Sequence, residues 1–305
     1  MKYDVIIIGG GPAGLTAAVY AQRAGMRVLV LERYICGGQI AFSSEVENYP
    51  GLMKVSGADF AGTLMEQAIS FGAEIEYNEA LTIERTSDNG GFRVVTDGNS
   101  FDCNAVIIAS GAKCREAGVE GEAHFKGRGV SYCAVCDGAF YKGRNVAVIG
   151  GGNTALEDAI YLSELCNTVY IVHRRDEFRG EPALVQKLNQ CDNIVKLMSM
   201  EPASISGNDF VESITLTGVK DNTQTTIDVD GVFVAIGRTP DTEFVADIIN
   251  LDDNGYVDSD EQCTTNIPGI FVAGDCRKRR VKQLTTAVSD GAVAAIAATD
   301  FIRLH

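Results

Sequence analysis

The chain has 305 residues, 46% of them apolar, with 33 glycines, 6 prolines and no tryptophan. Its net charge of −15 argues against a general nucleic-acid binder, which needs a basic face to neutralise phosphates. No uninterrupted apolar run reaches the roughly 20 residues of a membrane span, so neither a nucleic acid nor a membrane is an expected partner.

This length holds one large domain or two ordinary ones, and the glycine content suits an α/β chain with many tight strand-to-helix turns. Met1-Lys2-Tyr3-Asp4 leads straight into "VIIIGGGPAG", without the small-residue cleavage site of a signal peptide, so a cytoplasmic protein is expected. The 9 cysteines are scattered and do not resemble a secreted disulfide framework. Cys36, Cys103, Cys114, Cys166, Cys191, Cys263 and Cys276 have no near cysteine neighbour in sequence and read as packed thiols, with an adventitious redox-sensitive thiol as the alternative for Cys36.

The opening segment reads as a βαβ unit: a strand over Val5–Ile8, the turn Gly9-x-Gly11-x-x-Gly14 with Pro12 and Ala13 inside it, and a helix over Leu15–Ala24. Gly25 stops the helix, Val28–Leu31 form the second strand, and Glu32 ends it. Glycines there let backbone N–H groups approach a pyrophosphate, and a carboxylate about 20 residues on accepts from ribose hydroxyls. Dinucleotide binding follows, as FAD or NAD.

"AVIIASG" (105–111) is an apolar strand ending at Gly111, where the chain is expected to leave its first domain. "SYCAVCDG" then places Cys133 and Cys136 two residues apart, followed at once by Asp137. Zinc of this spacing needs a second ligand pair, and the three histidines, His124, His173 and His305, do not supply one. Inert buried thiols remain an alternative; the favoured reading is a dithiol/disulfide couple with a carboxyl to shuttle its proton.

A second βαβ unit follows, with Gly150 fourteen residues after Cys136: a strand over Val146–Ile149, the turn Gly150-x-Gly152-x-x-Ala155, a helix through Leu165 and a strand over Val169–Val172. It ends in His173-Arg174-Arg175, with Arg179 close behind, where the first unit presents an acid. Arginines suit a 2′-phosphate, so this unit predicts NADPH. "GVFVAIGRTPD" (231–241) marks the return, and "NIPGIFVAGD" ends in Gly274-Asp275, a carboxylate suited to the ribityl chain that FAD has and NAD lacks. The expected architecture is α/β, with two Rossmann-like three-layer domains. Residues 1–112 and 242–305 form the FAD domain, and 113–241 the inserted NADPH domain with the CxxC. NADPH, flavin and disulfide then form a chain of two-electron carriers. The flavin cannot easily receive nicotinamide and dithiol on one face at once, so opposite faces or a domain rotation is required.

In "GGGPAGLTAA", "GGQI", "EVENYPG", "GRGVSYCAVCDG", "GGGNTALEDA", "HRRDEFRG", "NIPGIFVAGD" and "KQLTTAVSDGAVAA", the chain resembles the low-molecular-weight, bacterial-type thioredoxin reductases along essentially its whole length. The resemblance implies a homodimeric flavoenzyme that uses NADPH to reduce the disulfide of thioredoxin, with domain rotation between half-reactions. It places Cys136 beside the flavin and makes Cys133 the interchange thiol, with Asp137 as proton donor and acceptor. Gly37, Gly38, Gln39, Asn48, Ile83, Gly111, Gly274, Asp275, Lys282 and Gln283 become candidate FAD contacts. Gly152, Asn153, Thr154, His173, Arg174, Arg175, Arg179 and Ile236 become candidate NADPH contacts, and Arg128, Phe140 and Tyr141 a docking surface. Lys282 stands where arginine is common in such chains, which keeps the charge and loses the fork. The basic run Arg277–Arg280 reads as a solvated loop, with steering of an acidic partner as the alternative. Other acceptors for the dithiol, namely a different small redox protein or oxygen, remain open, as does a flavoprotein that only binds or senses.

Overall fold

The computed structural model describes residues 2–43, 45–86 and 90–305. The chain divides into two compact units: Met1–Lys113 with Thr239–His305, and Cys114–Arg238.

The first unit begins with β1 (Lys2–Ile8), α1 (Pro12–Arg23), β2 (Val28–Leu31), α2 (Gly57–Ser70), β3 (Glu74–Glu76), β4 (Ala80–Arg85), β5 (Phe92–Thr96) and β6 (Ser100–Ile108). Its sheet runs β3-β2-β1-β6, continued by β5 and β4 as an antiparallel meander. β1 is apolar and buried from Val5 to Ile8, where both its faces are covered. Val5 and Ile7 pack with Leu15, Ala17 and Ala18 of α1, while Ile6 and Ile8 pack with Ile83, Phe92 and Val94 beneath the meander. α1 starts three residues earlier than periodicity suggested, since Pro12 suits a first-turn position whose N–H has no intrahelical partner. α2 is capped by Ser56, whose hydroxyl accepts from the Asp59 amide at 3.0 Å.

The chain leaves this unit through β7 (Ala112–Cys114) and builds the second with β8 (Val130–Ser131), α3 (Ala134–Asp137), β9 (Asn145–Ile149), α4 (Asn153–Ser163), β10 (Thr168–His173), α5 (Pro182–Leu188) and β11 (Ile194–Met198). An antiparallel sheet of β12 (Met200–Gly207), β13 (Val211–Gly218) and β14 (Gln224–Asp228) follows, then β15 (Gly231–Val234) and β16 (Arg238–Pro240). The parallel sheet has the order β11-β10-β9-β15-β8. Alternation along β9 produces three layers: Val146 and Val148 face Leu156 and Ile160 of α4, and Ala147 and Ile149 face Ile205, Ile214 and Leu216 of the antiparallel sheet. The outgoing and returning crossings, β7 and β16, pair as a two-stranded sheet. The change of unit falls inside that ribbon, a few residues from the boundaries read from sequence.

On return, β17 (Ile270–Val272) pairs in parallel with the end of β6, and α6 (Leu284–Leu304) lies along α1. Among the described residues, no helix is long and apolar enough to cross a membrane. The basic run departs from its expected solvated state at one position. Arg277 is 8% exposed, and its guanidinium donates to Asp290 at 2.8 Å, to Ser259 Oγ at 2.9 Å and to the Asp260 carbonyl at 2.7 Å. Arg279 also reaches Asp290, which is itself 5% exposed and accepts from the Gly274 amide. Desolvation of both charges is offset by this full set of partners. Asp290→Ala, which strands Arg277, is expected to lower unfolding stability by about 3–5 kcal/mol, read as a shift of the denaturant midpoint.

Candidate active site

In the first unit, the turn between β1 and α1 is set by contact between backbones. A side chain on Gly14 would place Cβ 1.9 Å from the Gly9 carbonyl oxygen, and one on Gly9, at φ +109°, would lie 2.3 Å from the Ala109 carbonyl oxygen. Helix and strand ends are thereby pressed together, while Gly11, the N-cap of α1, faces open space and carries no side-chain cap. The first amides of α1 thus point into a cradle that a phosphate would fill. Glu32 sits at its edge, accepting from the Gly10 amide at 2.8 Å and the Tyr34 amide at 2.9 Å.

The turn at Gly37 and Gly38 lies against the same cradle: the Gly37 amide donates to the Gly10 carbonyl at 2.8 Å. Gln39 donates to the Ala112 carbonyl, next to Gly111. Gly274 packs against Ala13, and Asp275 follows half-buried. Lys282 donates to the carbonyls of Asp275 and Arg277 at 2.6 and 2.9 Å and lies over the Tyr256 ring, so its ammonium braces the 275–277 turn. Gln283 caps α6 reciprocally with Thr286. Asn48 is exposed on the loop closed by the Val46–Val55 bridge. Ile83 stands apart: it is 4% exposed inside the core with Phe92 and Val94, because its place on β4 turns it into the sheet interface.

In the second unit, Gly152, Asn153, Thr154, His173, Arg174, Arg175, Arg179 and Ile236 line a single cavity of about 680 Å³. Gly152 is an uncapped N-cap facing open space, as Gly11 is. The loop after β10 folds over the start of α4: Arg179 donates through its amide to the Gly151 carbonyl at 2.7 Å, and Asn153 exchanges two hydrogen bonds with Glu181. His173 is 7% exposed and stacks on Phe178. Burial pushes its pKa down, and the adjacent arginines add to that effect. Its Nε2 is buried without a hydrogen-bond partner, a polar atom in the cavity wall left for a ligand to satisfy. Arg115, Met200, Glu201 and Pro202 also line the cavity. Sequence reasoning missed them because no motif marks residues brought in from neighbouring strands.

Cys133 and Cys136 form a disulfide across the single turn of α3, with Cα atoms 5.3 Å apart; Cys136 is exposed and Cys133 half-buried. The Asp137 amide donates to the Cys133 carbonyl at 3.1 Å, closing the turn. Burial raises the pKa of the Asp137 carboxyl, while a hydrogen bond from Ser131 opposes the rise. Sequence reasoning passed over Ser131, and also Val135, which is 47% exposed; Phe140 is exposed too. Tyr141 does not belong with that surface. Its ring packs against Phe233 at 5.3 Å, and burial pushes its hydroxyl up to about 12.

Residues 3–291 match the family model of the pyridine nucleotide-disulphide oxidoreductases. The chain belongs to this family. It is similar to the thioredoxin reductase of Listeria innocua, 42% identical over 96% of this chain and 91% of that protein. The crystal structure of thioredoxin reductase from Streptococcus pyogenes superposes with a TM-score of 0.95 at 39% identity, covering 100% of this chain and 99% of that one. The thioredoxin reductase from Giardia duodenalis superposes with a TM-score of 0.93 at 33% identity, covering 99% of each chain. The family's two dinucleotide-binding domains are matched by the two glycine turns, each with its own sheet.

A methyl group on Gly151 would fall 2.3 Å from Nδ1 of His173. Gly151→Ala is therefore expected to displace that ring and raise KM for NADPH roughly tenfold, by the sensitivity of sites to ångström displacements, with FAD content unchanged; steady-state kinetics and the flavin spectrum check it.

Proposed function

We propose that the protein is an NADPH-dependent, FAD-containing thioredoxin reductase, acting through the Cys133–Cys136 disulfide. The observation that carries this reading is the placement of that disulfide in one compact unit with a dinucleotide cavity walled by His173 and four arginines. The names of the relatives give the acceptor, thioredoxin.

The residues present fit both dinucleotides. The uncapped start of α1 would take the FAD pyrophosphate, with Glu32 on the ribose and Asp275 on the ribityl hydroxyls. Arg174, Arg175 and Arg179 would hold the 2′-phosphate of NADPH, with His173 Nε2 reaching a phosphate oxygen. Bound FAD supplies a two-electron carrier between a hydride donor and a disulfide.

The chain's own part lies in the redox turn. Once reduced, Cys133 attacks the acceptor disulfide as thiolate, and Cys136 then attacks Cys133 Sγ to restore the pair and release the acceptor dithiol. Asp137, half-buried at the end of this turn, holds the proton that the leaving acceptor sulfur takes and later accepts the proton of Cys136. Val135, Phe140 and Arg128 are all exposed, and we offer them as apolar and cationic contacts for the protein acceptor. The seven cysteines outside the pair are free thiols, which suits a reducing cytoplasm.

The FAD-loaded protein should oxidise NADPH continuously with thioredoxin present, followed at 340 nm; no turnover would overturn the reading. Cys136→Ser should keep NADPH-driven bleaching of the flavin and lose thioredoxin turnover. Replacing Arg174 and Arg175 by alanine should raise KM for NADPH by ~10–100-fold, the worth of one or two charge-assisted hydrogen bonds, and change KM for NADH little.

A further inference from the structure

Ser131 ends β8 and is 5% exposed, directly beneath the redox turn. Its Oγ lies 2.5 Å from Oδ2 of Asp137, 3.1 Å from the amide nitrogen of Cys133 and 3.4 Å from the Cys133 carbonyl oxygen. A hydroxyl has one proton to give, and the distances assign it to Asp137; a lone pair then accepts from Cys133 N–H. One buried side chain thereby connects the backbone of the first cysteine to the carboxyl that follows the second.

We propose that Ser131 is a positioning residue for the disulfide exchange: it fixes the Asp137 carboxyl against the redox turn and sets how readily it holds a proton. This rests on the role given to Asp137 above. In the exchange, the Cys133 thiolate forms a bond to one acceptor sulfur, the acceptor S–S bond breaks, and the leaving sulfur takes the Asp137 proton. Cys136 then returns its own proton to Asp137 as it forms the bond to Cys133 Sγ. The second acceptor sulfur leaves and takes that proton, so that two electrons and two protons have moved to the acceptor. Asp137 must alternate between acid and carboxylate, and the Ser131 hydroxyl stabilises the carboxylate state against burial, the larger influence.

The charged and titratable surroundings of Asp137 are few. On its own turn stand Cys133 and Cys136, and on the turn after it Tyr141, which Arg144, Asp230 and Cys166 also face. Just after β8 stands Tyr132, whose hydroxyl donates to Glu122 at 2.9 Å. α4 packs on Gly138 with Tyr161 and Leu162, and Asp158, pushed up to about 7 by burial, lies one turn earlier on that helix.

The test uses the FAD-loaded protein and its Ser131→Ala variant. Expected is a roughly tenfold or greater loss of kcat with thioredoxin, the worth of a hydrogen bond to a charged group, with NADPH-driven flavin reduction unchanged. With the hydroxyl gone, the carboxyl keeps its proton to higher pH, so the limb of the kcat–pH profile assigned to Asp137 should move upward in pH. Ser131→Thr, which keeps a hydroxyl, should recover activity and profile, and Ser131→Ala in an Asp137→Asn background should cost nothing further. Unchanged kcat and profile in Ser131→Ala, or equal loss in both half-reactions, would overturn the proposal, as would a limb that moves with Asp158→Asn instead. Full thioredoxin turnover by Asp137→Asn would overturn the role of Asp137 itself, a separate result.

Discussion

The close approach of strand end and helix start at the first glycine turn is the contact on which the dinucleotide architecture rests. Gly14 lies so near the Gly9 carbonyl that no side chain fits between them. That contact seats α1 on the sheet with its first amides directed outward past Gly11 and without a side-chain cap. A helix start left uncapped sacrifices a typical stabilisation of about 1 kcal/mol, and the compensation comes when an anion takes the amides. The second unit repeats the device at Gly152 with a different sheet and different helices.

What distinguishes the two turns is the charge at the end of the following strand. Glu32 closes one, tied to the backbone of Gly10 and Tyr34, so its carboxylate is held at a fixed place beside the cradle. His173, Arg174 and Arg175 close the other, and Asp176 among them is drawn aside by Lys220 at 2.7 Å and by Ser199. Its negative charge is therefore partly compensated away from the cluster, which leaves the cavity wall cationic in a chain of net charge −15.

The redox turn is small: a two-residue strand, one turn of helix and one further tight turn. It has little core of its own and depends on its neighbours, Ala134 entering the α4 layer and Tyr141 packing on Phe233. The sulfur pair thus sits on a short element clamped at both sides, with Ser131 supplying the polar link from the sheet below.

Much of this was legible from residue order. Each continuous apolar strand followed by GxGxxG or GxGxxA, and the acid or cations after the next strand, announces itself because local backbone geometry and charge act within some thirty residues. The cysteine pair and Asp137 are adjacent in sequence and needed no fold to be noticed. Four features were decided only by tertiary packing. Ile83, one apolar residue among many, became core because β4 turns it into the sheet interface. Tyr141 left the expected docking surface because a glycine at 231 leaves room for its ring. Arg277 left the expected solvated loop because Asp290, on a helix beginning later in the chain, holds it inside. Ser131 acquired its place because β8 and α3 bring its hydroxyl to Asp137 and to Cys133 at once. The sequence by itself determined which backbone turns and charges this protein has; which side chains meet in the interior depends on strand order and layer packing, distances that no local pattern encodes.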